Sequence, residues 1–156
     1  MADSAFIPPA LAEMPGYLES RAESLRPSAG WKPSPDRFSF LENVWHLADL
    51  EREGFGRRIR LLAEQDAPFL PNFDGDRIAR ERNYSALDLA EGLGNFRRAR
   101  EENLARLAGC SAAAWQRTGT QEGVGIVSLA DVPRLMAEHD RSHRAEIEEL
   151  SAAAPR

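Results

Sequence analysis

Four stretches of the chain repeat their apolar residues every three or four positions, the spacing of the buried face of a helix, and strand-like alternation is nearly absent. The pattern predicts four helices, which run from Pro15 to just before Pro27, over Ser39–Glu64, from Ser85 to Gly109, and over Leu129–Ala153. Gly54 and Gly56 weaken the second helix by about 1 kcal/mol each relative to alanine. The predicted fold class is therefore all-α.

Proline limits regular structure at the start of the chain, where Pro8 and Pro9 are adjacent. We therefore predict an irregular N-terminal arm over residues 1–14 and one helical domain over residues 15–153. A chain of 156 residues is most simply one domain, large enough to bury a core without disulfide bonds. Cys110 is the lone cysteine, so an intramolecular disulfide is impossible.

Two long connections, residues 65–84 and 110–127, follow the second and third predicted helices. Connections of this length are unusual in a compact domain unless they are functional. The first is long enough to return along the bundle, which would allow the second and third helices to run parallel. We expect these two loops to shape any pocket that the protein has.

Charge and hydropathy exclude several classes of partner. The net charge is −5 and the pI is near 5.3, which argues against nucleic acid or an anionic membrane surface. The N-terminus lacks the basic and apolar regions of a signal peptide, and no stretch approaches the roughly 20 apolar residues of a membrane span. We therefore expect a cytoplasmic protein.

The three histidines of the chain are placed where one metal ion could use them all. His139 and His143 are four residues apart on the apolar stripe of the last helix, so both lie on one face. His46 lies on the second helix. Three imidazoles with an open fourth position are typical of a catalytic zinc site. A pair of hydrogen-bonded structural histidines is the alternative interpretation, but burying polar rings without partners would cost a few kcal/mol.

Carboxylates near the histidines are candidates to accept the second ring N–H and so raise the basicity of the ligand. Asp49 and Glu42 share the face of His46, and Asp49 is the first candidate for this supporting catalytic role. Glu146, three residues after His143, is a further candidate. Arg100 is expected to pair with a carboxylate rather than to bind a substrate.

Several familiar metal motifs are absent from the sequence. It has no H-E-x-x-H, so a zincin protease is unsupported, and no glutamate precedes a histidine by three, which argues against a di-iron bundle. One cysteine cannot form a closed cysteine-rich zinc site. Three imidazoles suit zinc, nickel, iron or copper, so the ligands alone do not identify the ion.

Two segments resemble helices of DinB/YfiT-like proteins. Phe38–Glu51, which contains His46, resembles the second helix of the family, and Met136–Ile147, which contains the histidine pair, resembles the last helix. The loop stretches Phe73–Asp76 and Trp115–Gly119 are also similar to the family's patterns. The similarity extends over roughly residues 10–150.

This resemblance implies a four-helix bundle with up-down-down-up connectivity. It also implies that His46, His139 and His143 hold a divalent metal ion, most often zinc or nickel, and that homodimers are common. Characterised relatives include S-transferases that use low-molecular-weight thiols. The leading hypothesis is therefore a metalloenzyme, a transferase or hydrolase, that activates such a thiol or a water molecule. The alternatives are a non-catalytic, metal-stabilised binding or stress-response module and a metal-free bundle with structural histidines.

Overall fold

The computed structural model describes residues 6–156 and is predominantly helical. Its α-helices are α1 (Ala10–Leu25), α2 (Phe40–Asp49), α3 (Gly56–Glu64), α4 (Gly75–Arg82), α5 (Leu89–Ala108), α6 (Ala112–Trp115) and α7 (Asp131–Ala153). Its strands are β1 (Phe69–Leu70), β2 (Thr118–Gln121) and β3 (Gly125–Ser128). The four predicted helical stretches correspond to α1, to α2 together with α3, to α5 and to α7. None of the helices described over residues 6–156 is long and apolar enough to cross a membrane.

The first helix begins five residues earlier than the predicted start at Pro15. Ala10–Leu25 is helical with Pro15 inside it, and both Leu11 and Met14 are completely buried. The irregular arm predicted over residues 1–14 is therefore wrong for its last five residues, while residues 1–5 lie outside the described part of the chain. Burial of two large apolar side chains, at about 1.5–3 kcal/mol each, outweighs the hydrogen bond that proline cannot make.

The second predicted helix is continuous from α2 to α3 through a π-helical turn over Leu50–Phe55. At the end of this turn the Gly56 N–H bonds the Glu51 carbonyl oxygen, five residues back. A Cβ atom on Gly56 would lie only 2.8 Å from that oxygen, so glycine permits the wider turn. The Asn103 side-chain amide also donates to the Glu51 carbonyl, at 2.8 Å. Such π-turns are frequent at functional sites, and this one lies just after His46.

The two long connections contain structure that the apolar pattern did not predict. Helix α4 and strand β1 lie in the first connection, and β2 and β3 lie in the second. β1 pairs in parallel with β2, which pairs antiparallel with β3, so the small sheet ties the two connections together. The strands have only two to four residues, too few for a visible alternation. The all-α prediction is therefore corrected to a mainly helical fold with one small sheet.

Capping side chains set the helix ends that position the site. Ser39 and Glu42 form a reciprocal capping box at the start of α2, as the predicted boundary requires. Helix α5 begins at Leu89 rather than at Ser85, because the Asp88 carboxylate accepts the Glu91 N–H and acts as the N-cap. Both caps fix the start of a helix that packs on the buried core.

Candidate metal centre

Three histidine side chains from two distant helices converge at one place. His46 projects from α2, and His139 and His143 project from α7; one ring nitrogen of each lies within 4.8 Å of those of the other two. The Nε2 atoms of His139 and His143 are 3.1 Å apart. The ring centroid of His46 lies 5.6 Å from that of His139 and 4.9 Å from that of His143. The predicted convergence of the three rings is confirmed.

The spacing of the ring nitrogens fits a shared divalent cation. Two nitrogens bonded at 2.0–2.1 Å to one tetrahedral zinc ion are separated by roughly 3.3 Å, close to the Nε2–Nε2 distance observed here. His46 Nδ1 is fully buried and, within residues 6–156, has no hydrogen-bond partner. A buried ring nitrogen without a partner is costly unless another ligand satisfies it. The donor set is therefore suited to a metal ion.

Asn43 fixes the orientation of the His143 ring. The Asn43 side chain is completely buried, and its Nδ2 donates to the Ser39 carbonyl oxygen at 3.0 Å. Its Oδ1 is therefore the acceptor for the His143 Nδ1–H, at 2.7 Å. This hydrogen bond places the proton of the neutral ring on Nδ1 and leaves the Nε2 lone pair directed toward His139. The sequence interpretation missed Asn43, although a buried asparagine one helical turn before His46 is an unusual choice within an apolar face.

Burial keeps all three imidazoles neutral. It lowers the pKa of His46 to about 3 and that of His143 to about 3, in each case with a smaller contribution from another histidine. It also lowers the pKa of His139 to about 4, with further contributions from His46, Arg100 and Arg58. Only neutral imidazole can ligate a metal, so the environment holds each ring in the competent state near neutral pH.

Aromatic rings and a glycine enclose the histidines. The centroids of Phe38 and Phe73 lie 5.4 Å and 6.1 Å from that of His46, and Phe55 lies 5.9 Å edge-on to His139. At the start of α4, a Cβ atom on Gly75 would lie 2.6 Å from His46 Cε1. Because only glycine permits this approach, the first long connection closes over the His46 ring.

The predicted partnership between Asp49 and His46 is not formed. The Asp49 carboxylate instead accepts hydrogen bonds from Tyr84 Oη at 2.6 Å and from Arg82 Nη1 at 2.7 Å, and no hydrogen bond joins it to His46 within residues 6–156. These two donors, from the end of α4 and the segment after it, hold the carboxylate in place. The supporting catalytic role predicted for Asp49 is therefore not supported by a contact.

The two other candidate carboxylates differ in position. Glu42 caps α2 through Ser39 and pairs with Lys32 at 3.1 Å, so it is not a partner of His46. Glu146 lies 3.5 Å from His143 Nδ1, further than Asn43. Glu146 therefore adds charge near the ring, while Asn43 makes the closer hydrogen bond.

A buried ion-pair cluster lies behind His139. Arg100 is 1% exposed and bonds Glu51 at 2.5 Å and both carboxylate oxygens of Asp140 at 2.7 and 2.9 Å. The predicted carboxylate pairing of Arg100 is thus confirmed. Because Asp140 follows His139 in α7, this bidentate pair anchors the helix where the His139 side chain projects.

Comparison with known proteins gives a family and a fold. Residues 10–147 match the model of a family described as the DinB superfamily. A solved structure, that of YfiT from Bacillus subtilis, aligns with a TM-score of 0.82 at 22% identity, over 91% of this chain and 82% of that one. YfiT is described as a probable metal-dependent hydrolase with an unusual four-helix bundle topology. Among curated proteins, none matches this sequence.

Proposed function

The chain belongs to the DinB superfamily, and from this membership and the convergence of its three histidines we propose that it is a divalent-metal-dependent enzyme. In this proposal His46, His139 and His143 hold the ion. A water molecule or a low-molecular-weight thiol is activated there and attacks an electrophilic small molecule. The single observation that carries the proposal is the approach of three neutral ring nitrogens to within 4.8 Å of one another.

The side chains around the histidines suit this chemistry. When bound, a divalent ion lowers the pKa of a coordinated water or thiol and so supplies a nucleophile at neutral pH. Three protein ligands are the usual number in catalytic zinc sites, where a fourth position is kept for water or substrate. Asn43 orients one ligand, and Phe38, Phe55 and Phe73 form apolar walls that limit the access of bulk water.

The choice between water and thiol sets the reaction class. The likeness to YfiT, a probable metal-dependent hydrolase, favours water, whereas the resemblance to thiol-using family members favours a thiol. The test loads the purified protein with zinc or nickel and assays it against activated esters and amides without thiol, and against an electrophile such as monochlorobimane with a series of thiols. Turnover that is lost in the His143→Ala variant would support the proposal. Rates equal to those of His143→Ala in every assay would overturn the catalytic proposal.

A non-catalytic, metal-stabilised module is the second candidate, and the burial of His46 beside the half-buried His139 and His143 supports it. In that case the ion mainly couples to folding. A chelator should then lower the melting temperature of protein purified without a histidine tag, and no substrate series should give turnover. Absence of bound metal and of metal-dependent stability would reject both candidates.

Several finer properties form part of the same proposal. We propose an up-down-down-up helix order, which the length of the connection from α3 to α5 supports. The ion is proposed to be zinc or nickel, and metal analysis of protein purified without a tag tests this. A cytoplasmic location, a small-molecule substrate and a homodimer complete the proposal; the last is tested by sedimentation.

A further inference from the structure

Arg58 is a buried cation for which residues 6–156 provide no counter-ion. Its side chain projects from α3, the residue is 8% exposed, and its Nε is fully buried with no acceptor among these residues. In the part of the chain that the structure describes, Arg58 makes neither a hydrogen bond nor an ion pair. The other buried arginine, Arg100, is by contrast hydrogen-bonded to Glu51, to Asp140 and to a backbone carbonyl oxygen.

Arg58 lies next to the histidine cluster. Its guanidinium carbon is 5.3 Å from the centroid of the Phe55 ring, and the same ring lies edge-on to His139 at 5.9 Å. Phe55 therefore contacts both the cation and a proposed metal ligand. The field of the Arg58 charge also reaches His139, where it helps to lower the pKa of the imidazole.

The chemistry of arginine makes this position informative. A guanidinium stays protonated in proteins, so Arg58 cannot remove its charge by losing a proton as a buried lysine can. A buried charge without a partner is strongly destabilising, and the cation–π contact with Phe55 offsets only part of that cost. Carboxylate and phosphate match the planar fork of guanidinium donors.

We infer that Arg58 is the anion-binding residue of this site, and that the substrate carries a carboxylate or phosphate group which pairs with Arg58 while its reacting atom lies at the three histidines. The inference rests on the proposed function and narrows its substrate class to anionic small molecules. Phe55, between the two positions, packs against the intervening part of the substrate. Arg58 thus positions the substrate and selects it by charge.

The test measures anion binding directly, with inorganic phosphate and acetate as probes. The melting temperature of metal-loaded and metal-free protein is followed as chloride is replaced by each probe at constant ionic strength. Arg58→Gln is compared with Arg58→Lys and with Arg57→Gln, a control that removes the exposed arginine next to it on α3. Arg58→Gln should lower the apparent affinity for the stabilising anion roughly 10- to 100-fold, the range expected for loss of a charge-assisted hydrogen bond. Arg58→Lys should retain part of the effect, and Arg57→Gln should retain all of it.

The probe-free stability provides a second readout. Removing an unpaired buried charge should leave the melting temperature of Arg58→Gln unchanged or higher, whereas loss of a structural ion pair would lower it. A lower probe-free melting temperature of Arg58→Gln than of wild type would show that the charge has an internal partner and would overturn the inference. Equal anion dependence of wild type and Arg58→Gln, no stabilisation of the wild type by either anion, or an unfolded Arg58→Gln would also overturn it. Metal binding by the three histidines, measured separately by calorimetry, would show whether the proposed function survives such a result.

Discussion

Arg100 Nη1 donates a 2.9 Å hydrogen bond to the carbonyl oxygen of Leu11, the acceptor that Pro15 leaves without its helical N–H donor. The guanidinium on α5 thus supplies the hydrogen-bond donor that the proline inside α1 lacks, and the free carbonyl oxygen of α1 supplies an acceptor for the buried guanidinium. The remaining donors of the guanidinium bond Glu51 and Asp140. One buried side chain therefore joins α1, the π-turn after α2, and α7.

Replacing Arg100 by methionine should destabilise the protein by about 3–5 kcal/mol, because two buried carboxylates would lose their cation. Urea denaturation of the metal-free protein measures this loss. Arg97→Met is the matched control: it lies one turn earlier on α5 and pairs with Glu19 at 2.8 Å on the surface, so its loss should cost less than about 1 kcal/mol. Similar losses for the two variants would contradict the structural role assigned to Arg100.

Adding Glu51→Gln and Asp140→Asn to the Arg100→Met background should recover much of the stability, since the charges that were left unpaired are removed. Arg100→Lys should recover less, because an ammonium cannot reproduce the bidentate contact with Asp140. No recovery in the triple variant would show that packing of the Arg100 stem, rather than charge, dominates.

The placement of the three histidines on apolar helix faces was predictable from helix periodicity, and the family resemblance joined them into one predicted site. His139 and His143 are one turn apart on an apolar stripe, and His46 occupies the apolar face of another helix. The hydrogen-bond partners of these side chains depend instead on which helices pack together. Asp49 shares a helix face with His46 in sequence, but Tyr84 and Arg82 from the following connection bind its carboxylate. Asn43 is separated from His143 by 100 residues, and no local pattern joins them.

The fold was predictable where segments are long and missed where they are short. The four long helical stretches carry many periodic positions, whereas β1, β2 and β3 have two to four residues each. The start of α1 was missed for a different reason: Pro15 suggests a helix start, but burial of Leu11 and Met14 extends the helix back to Ala10. Tertiary burial there outweighs the local preference.

Replacing Asn43 by alanine should weaken metal binding by roughly 10- to 100-fold, the usual effect of removing a group that orients a ligand histidine. The His143 ring would lose the acceptor that fixes its tautomer. Asn43→Asp retains an acceptor at this place and should bind metal more tightly than Asn43→Ala. Competition titration with a chromophoric chelator measures the metal affinity of both variants. The control is Glu146→Gln, which should have a smaller effect because the Glu146 carboxylate lies 3.5 Å from the His143 ring. Equal metal affinity of Asn43→Ala and wild type would show that Asn43 does not contribute to the site.

The metal-free protein should lose stability as the pH falls from about 6.5 toward 5. Each buried histidine has a pKa of about 3 or 4 in the folded state and about 6.5 when unfolded, so the unfolded chain binds more protons across this window. The loss reaches up to about 2 kcal/mol per ring at pH 5. Burial raises the pKa of Glu146, which opposes the trend near His143.

Urea denaturation in the presence of a chelator at several pH values checks this prediction. His143→Gln lacks one of the titrating rings and should show a shallower dependence than wild type. Metal affinity should fall over the same range, because protons compete for the imidazoles. Stability that is flat between neutrality and about pH 5 would mean that the rings are solvated and titrate normally.

Replacing Gly75 by alanine should damage the metal centre without a backbone penalty at the mutated residue. Gly75 has an ordinary helical conformation at the start of α4, but a Cβ atom there would lie 2.6 Å from His46 Cε1 and 2.9 Å from Nδ1. Either the ring or the helix must shift, so metal affinity should fall. Gly16→Ala in α1, where nothing lies within 4 Å of the added atom, should instead stabilise the fold by about 0.5–1 kcal/mol. Calorimetric titration with zinc compares the two variants, and unchanged affinity in Gly75→Ala would contradict the expected displacement of the His46 ring.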